Sequence, residues 1–390
     1  MGYQEPASRN PPLAGAELEA FLRRLPKTEL HLHLDGALRP DTALELARER
    51  KLDQGMDVVA MRAVLTAPAH LRDQAELLRA FDLPITILQD TEALRRATAE
   101  LVEDAAADGT RYVEIRWAPA LHLRGGLALN EVIEAVVAGA RDGSSQVEQA
   151  SRTGAGGHAG GAASSRMAGG PHTLRPIAVR LIAVAMRTHA GDTNVAVAEA
   201  AGRFTDRGLT GFDLAGPEAA SPDPLVHARA FAAARWAGLG ITIHAGEWGG
   251  AAQVRRALQV SPARIAHGAP AIDDPALVAE LRDRGITLDL CPTSNVQAGL
   301  VPRLADHPLP RLLRAGVPIT LSTDDRTVAG VSLVDEYRRA VETLGLTPRE
   351  LWAIDRHGLE AAFLADDEPL RADLLASFDR FAAGERTLAS

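Results

Sequence analysis

The sequence predicts an α/β fold, a (β/α)8 or TIM barrel, on the recurrence of short strand-like runs and on the helical spacing between them. Eight apolar or β-branched runs appear: Glu29 to His33, Tyr112 to Trp117, Ile177 to Val184, Gly211 to Leu214, Ile241 to His244, Ile265 to His267, Ile286 to Leu290 and Val317 to Ser322. Segments between them, such as Pro40 to Arg50, Pro224 to Ala237, Asp274 to Asp283 and Leu333 to Leu344, carry apolar residues at helical spacing or good helix formers. Eight such units in 390 residues, 46% of them hydrophobic, suit one barrel.

Four stretches exceed a minimal barrel. Residues 1–24 are expected to be a flexible N-terminal segment, leaving residues 25–390 as a single barrel domain. Leu46 to Leu101 is long and mostly helical, which suggests a helical lid inserted after the first strand. Residues 143–170, with GAGGHAGGAASS, are rich in Gly, Ala and Ser and read as a flexible surface insertion. The segment after Arg356 reads as a C-terminal helical extension that closes the barrel bottom.

Composition narrows the function. The start of the chain lacks the apolar run of a secretory signal, and no later stretch reaches the ~20 apolar residues of a spanning helix. A cytoplasmic location with no membrane partner is the expectation. Cys291 is the only cysteine, so an internal disulfide and cysteine-based zinc sites are both excluded. A net charge of -9 with no basic block argues against nucleic acid and for a small-molecule substrate. Lysine occurs only at Lys27 and Lys51, so a two-metal centre bridged by a carboxylated lysine near the fourth strand has no residue to build it.

The candidate chemistry sits at strand ends. His31 and His33 are two apart on one strand and so point to one face. An isolated pair of this kind is more often a loop cap and a packed ring, but His244, His267, Asp324 and Asp325 also end predicted strands, at the edge where barrels carry their sites. Imidazoles and a carboxylate would leave room on zinc for a water, whose acidity the metal would raise. Glu247, three residues after His244, is the candidate general acid and base; alone it would read equally well as a helix N-terminal charge.

The motifs HLHLDG at His31 to Gly36, DLAGPE at Asp213 to Glu218, HAGE at His244 to Glu247, AHG at Ala266 to Gly268, CPTSN at Cys291 to Asn295 and STDD at Ser322 to Asp325 resemble the adenosine deaminase family, in order over roughly Leu25 to Leu364. The resemblance implies one zinc per chain on His31, His33, His244 and Asp324. It implies Glu247 as proton donor to purine N1 and His267 as the residue that orients or deprotonates the attacking water. It further implies a purine nucleoside partner, with Gly216 at N3, Asp35 at the ribose 5′-hydroxyl and Asp325 at N7. Because N7 only accepts, Asp325 must be protonated, and burial beside Asp324 would favour that form.

Some positions depart from the family pattern. Trp248 follows HAGE, Arg326 follows the Asp pair, and Leu77 stands where the lid often has phenylalanine. The run Leu77, Leu78 and Phe81 is a candidate purine roof or plain core. Trp248 or Arg326 would suit the carboxylated 5′ extension of aminodeoxyfutalosine, or else be a packed ring and a surface charge. Relatives acting on free adenine tend to carry Glu where Asp35 stands, which favours a nucleoside. AMP would want a phosphate cluster, for which only Arg39 is at hand. A non-catalytic metal-binding barrel is the reading from a different class, and Glu247 and His267 argue against it.

Overall fold

The computed structural model describes residues 13–68, 71, 74–153, 174–365 and 368–388. Eight parallel strands lie side by side in chain order: β1 (Lys27–His33), β2 (Thr110–Trp117), β3 (Ala178–Met186), β4 (Leu209–Ala215), β5 (Gly240–Ala245), β6 (Arg264–His267), β7 (Thr287–Leu290) and β8 (Ile319–Leu321). The ring is drawn together at the mouth, where His33 N–H donates to Asp324 O and Asp324 N–H donates to His31 O. All eight predicted runs are strands, and the chain is a (β/α)8 barrel. Between consecutive strands the chain returns through helices, as parallel pairing requires.

The apolar core fills the space between strands and helices. Leu32, Val113, Ile115, Leu181, Phe212, Ile243, Ile265, Leu288 and Ile319 are all buried on strands, and Phe212 meets Phe231 of the helix Ala228–Trp236 edge to face. At the amino ends of the strands, Phe363 lies against Gly211 and Gly240, where an added Cβ would stand 2.6 and 2.2 Å from its ring. Only glycine permits that approach, and the Arg264 guanidinium sits 3.8 Å from the same ring centroid. Helices Pro348–Ala361 and Pro369–Gly384 flank Phe363.

Two flexible-segment expectations are corrected in part. Gly15–Arg24 is a helix whose Leu18, Phe21 and Leu22 are buried, because the spacing of those three residues gives it an apolar face. Leu129–Thr153 is one long helix, so residues 143–153 continue it, with Gly143 set closely against Ala99 and Val102 and Val147 buried. The remainder of the Gly/Ala/Ser stretch lies outside the described residues. Val58–Leu65, Gln74–Ile87 and Thr91–Ala107 are the helices between β1 and β2. No helix among the described residues is long and apolar enough to cross a membrane.

Candidate active site

Strand parity builds the site. Along β1, His31 and His33 share the face that meets Asp324, while Leu32 enters the main apolar core; the register against β2 shifts between Glu29 and Leu32, and Glu29 turns instead to Thr323 and Arg326. His31 Nε2 lies 2.9 Å and His33 Nε2 3.4 Å from Asp324 Oδ1. His244 ends β5, with Nε2 3.2 Å from His33 Nε2. His267 ends β6, with Nε2 3.8 Å from Asp324 Oδ2 and 3.9 Å from Glu247 Oε2. Four residues, His31, His244, His267 and Asp324, each offer an atom within 4.8 Å of the others, and His33 adjoins them through His244 and Asp324. His267 and Asp324 adopt left-handed φ of 64° and 65°, a strained conformation for residues with a side chain.

Electrostatics set the protonation states. Burial holds His31 well below the ordinary imidazole value and takes His33 to about 3 and His267 to about 4, so these rings are neutral near pH 7. Burial opposes the charge on Asp324, yet His31 and His267 hold its carboxyl well below the usual range. Glu247 is the reverse case: burial, then the like charges of Asp324 and Glu218, push it well above 4.5. Asp325 is also pushed well up, by burial, Asp324, Asp35 and Glu247. Both environments favour the protonated carboxyl, the form that can donate a hydrogen bond.

The predicted purine contacts border this cluster. Asp325 covers Gly36, where an added Cβ would fall 1.7 Å from Oδ1, so glycine is required there. Asp35 is buried next to it, and burial raises its carboxyl to about 6. Oδ1 of Asp35 and Oδ1 of Asp325 are both buried without a hydrogen-bond partner among the described residues. Gly216 follows β4 with φ of 95°, and a Cβ there would meet the Met186 methyl at 3.0 Å.

Residues without an assigned role in the sequence reading support the site. Asp213 Oδ2 lies 2.8 Å from His244 Nδ1, and Arg116 donates to that same oxygen at 3.1 Å. Arg116 also faces Asp289, which accepts from Arg264, so the buried charges inside the barrel compensate one another. Glu218 accepts the backbone N–H groups of Gly246 at 2.6 Å and Trp248 at 2.9 Å, together with that of Gly249, which brackets Glu247. Arg187 donates to Ser221 O at 2.7 Å and His244 O at 2.9 Å, tying the loop after β4 to β5. Ser294 donates to Asp324 Oδ2 at 2.7 Å. Charged residues at alternating inward positions of an apolar strand, Glu114 and Arg116, were the available signal for the interior network.

Arg326 corrects a substrate expectation. It is a partly buried cation, paired with Glu29 at 2.6 Å and Asp108 at 2.8 Å, and is therefore neither a free surface charge nor available to receive a distal carboxylate. Glu29 is further bonded by Thr323, so Arg326 anchors the segment that carries the Asp pair. Trp248 is a packed ring: with Leu71, Leu77, Ala80, Phe81 and Val328 it joins the helix Gln74–Ile87 to the loops after β5 and β8.

The model of the family described as adenosine deaminase matches residues 26–379. The chain belongs to the adenosine deaminase family. It is 37% identical over 370 residues to an adenosine deaminase of Mycobacteroides abscessus, covering 91% of this chain and 95% of the relative. A solved amidohydrolase of Burkholderia ambifaria with bound Zn superposes at a TM-score of 0.78, with 26% identity and 98% of each chain covered. The adenine deaminase of Arthrobacter aurescens gives 0.75 and 26%, covering 92% of this chain and 100% of that one. The adenosine deaminase family is metal-dependent, and the chain is a hydrolytic deaminase with a His/Asp cluster that fits a metal site.

Proposed function

We propose that this deaminase hydrolyses the 6-amino group of adenosine or deoxyadenosine, giving inosine or deoxyinosine and ammonia, with one zinc per chain. The observation that carries the reading is the placement of two carboxyls whose charge burial opposes, Glu247 and Asp325, beside a buried cluster of imidazoles and one carboxylate. That donor set fits zinc: His31 Nε2 and His33 Nε2 converge on Asp324 Oδ1 at 2.9 and 3.4 Å inside the cluster, and deprotonated imidazole nitrogen with one carboxylate oxygen is what the ion takes. His31, His33, His244 and Asp324 would hold it. Zinc, when bound, supplies Lewis-acid activation of water.

The remaining chemistry belongs to the side chains. Glu247 donates its proton to N1 as water oxygen adds to C6, which breaks ring aromaticity and makes the 6-amino group a leaving group. His267 orients or deprotonates that water. Asp325 donates to N7, Gly216 N–H to N3, and Asp35 Oδ1 accepts from the 5′-hydroxyl. The return of a proton to the amino nitrogen releases ammonia, so the balance is water in and ammonia out.

The inward-facing ion pairs of Arg326 leave no observation favouring a 5′-carboxylated substrate. Initial rates of ammonia release from adenosine, deoxyadenosine, adenine and aminodeoxyfutalosine test the reading. The two simple nucleosides should be fastest, and a preference for either of the others would overturn the substrate assignment.

A further inference from the structure

A chain of hydrogen bonds behind His267 begins at a group whose role has no ambiguity. The backbone N–H of Leu309, at the start of the helix Leu309–Arg314, donates to His307 Nδ1 at 3.1 Å. His307 Nδ1 is therefore bare, and its ring proton sits on Nε2. That nitrogen lies 3.0 Å from the side-chain amide of Asn295, so the amide presents its oxygen, Oδ1, and accepts. The other end of the amide, Nδ2, must then donate across 3.0 Å to His267 Nδ1.

We propose that His307 and Asn295 are positioning residues that lock His267 in the tautomer carrying its proton on Nε2. All three side chains are buried, at 4%, 0% and 1% exposure, so water does not compete for these bonds. Burial also keeps both rings neutral, with His307 taken to about 3. The locked tautomer has two consequences. Although His267 is near enough to the cluster to count as a ligand, its Nε2 lone pair is occupied by a proton, which leaves the metal to His31, His33, His244 and Asp324. And His267 meets the attacking water as a hydrogen-bond donor, so it orients that oxygen and stabilises charge on it instead of removing its proton. The second consequence rests on the deaminase reading above; the tautomer does not.

The test is nitrogen-15 NMR of protein labelled at histidine, metal-free and zinc-loaded, with the His267→Gln variant assigning the signals of that ring. The expected spectrum has a bare Nδ1 and a protonated Nε2 in both states. His307→Phe should release the amide, give His267 mixed tautomers and lower kcat roughly 10-fold or more with little change in KM. His307→Gln, which can accept from Leu309 and donate to Asn295 with its two amide ends, should restore both. A wild-type His267 protonated on Nδ1 overturns the proposal, as do identical His267 signals in wild type and His307→Phe. If the phenylalanine variant does not fold, the wild-type spectrum still decides. A protein with the expected tautomer that deaminates none of the four purines would overturn the proposed function and leave the relay standing.

Discussion

Asp213 Oδ2 and His244 Nδ1 stand 2.8 Å apart, on the opposite side of the imidazole from the Nε2 that faces His33. Asp213 is ionised against the cost of burial because His244 and Arg116 hold its carboxyl well below the usual range. The anion fixes the proton of His244 on Nδ1 and leaves Nε2 free to ligate. Asp213→Asn should therefore weaken metal retention by about 10- to 100-fold while the barrel still folds. Zinc content after dialysis against graded chelator measures it. Retention equal to wild type would show that the ring is oriented by packing alone.

Glu247 is bracketed by backbone bonds to Glu218, and burial pushes its carboxyl up toward the protonated form, the one that can give a proton to N1. Glu247→Gln should keep the metal and lose at least ~10²-fold in turnover, since an amide cannot cycle that proton. His244→Ala should lose metal and turnover together. Measuring zinc content beside kcat for both variants separates the roles, and near-normal turnover in Glu247→Gln would reject the acid assignment.

Much of this architecture was legible because its signals are local. The eight strands were found because parallel barrel strands are short apolar runs, and the parity of His31 and His33 follows from a single strand. What was hidden depends on where distant segments meet. The inward turn of Arg326 is set by Glu29 and Asp108, which lie 297 and 218 residues away in sequence. His307 lies on a connecting segment with no motif to mark it, and its part emerges only once Asn295 is seen between it and His267. The Gly/Ala/Ser composition after Gly143 suggests a loop, whereas Gly143 packs closely on Ala99 and Val102, where only a small residue fits, and the helix continues to Thr153.

A buried carboxyl away from the site gives a pH prediction. Asp355, on the helix Pro348–Ala361, accepts from Thr28 N–H at 2.9 Å and from the Tyr337 hydroxyl, and burial raises it from 3.8 to about 7. The native state thus keeps a proton that the unfolded chain releases near pH 4. Its stabilising contribution is complete below that point and is lost as pH rises through about 7. Asp355→Asn keeps an acceptor and removes the titration. Between pH 5 and pH 8, wild type should lose on the order of 2 kcal/mol more stability than the variant, read from denaturant midpoints. Parallel pH dependences would mean that Asp355 is ionised throughout.

The proposed preference for a nucleoside would turn on Asp35. Its Oδ1 is buried without a partner and its carboxyl is raised only to about 6, so near pH 7 it is mostly an anion that lacks one hydrogen bond. A ribose 5′-hydroxyl would supply that bond, whereas free adenine would bind and leave the oxygen unpaired, a cost of ~1–3 kcal/mol. The adenine-acting relative shares the barrel, so the fold alone does not choose between the two substrates. Asp35→Ala should lower kcat/KM for adenosine by about 10- to 100-fold, the kinetic equivalent of that cost, and change kcat/KM for adenine little. Lowering the pH through about 6 should weaken the adenosine preference of wild type, because the protonated carboxyl no longer needs the hydroxyl proton. In Asp35→Ala that pH dependence should vanish. Equal losses for both substrates would place Asp35 in support of Asp325 or the metal cluster and not at the ribose.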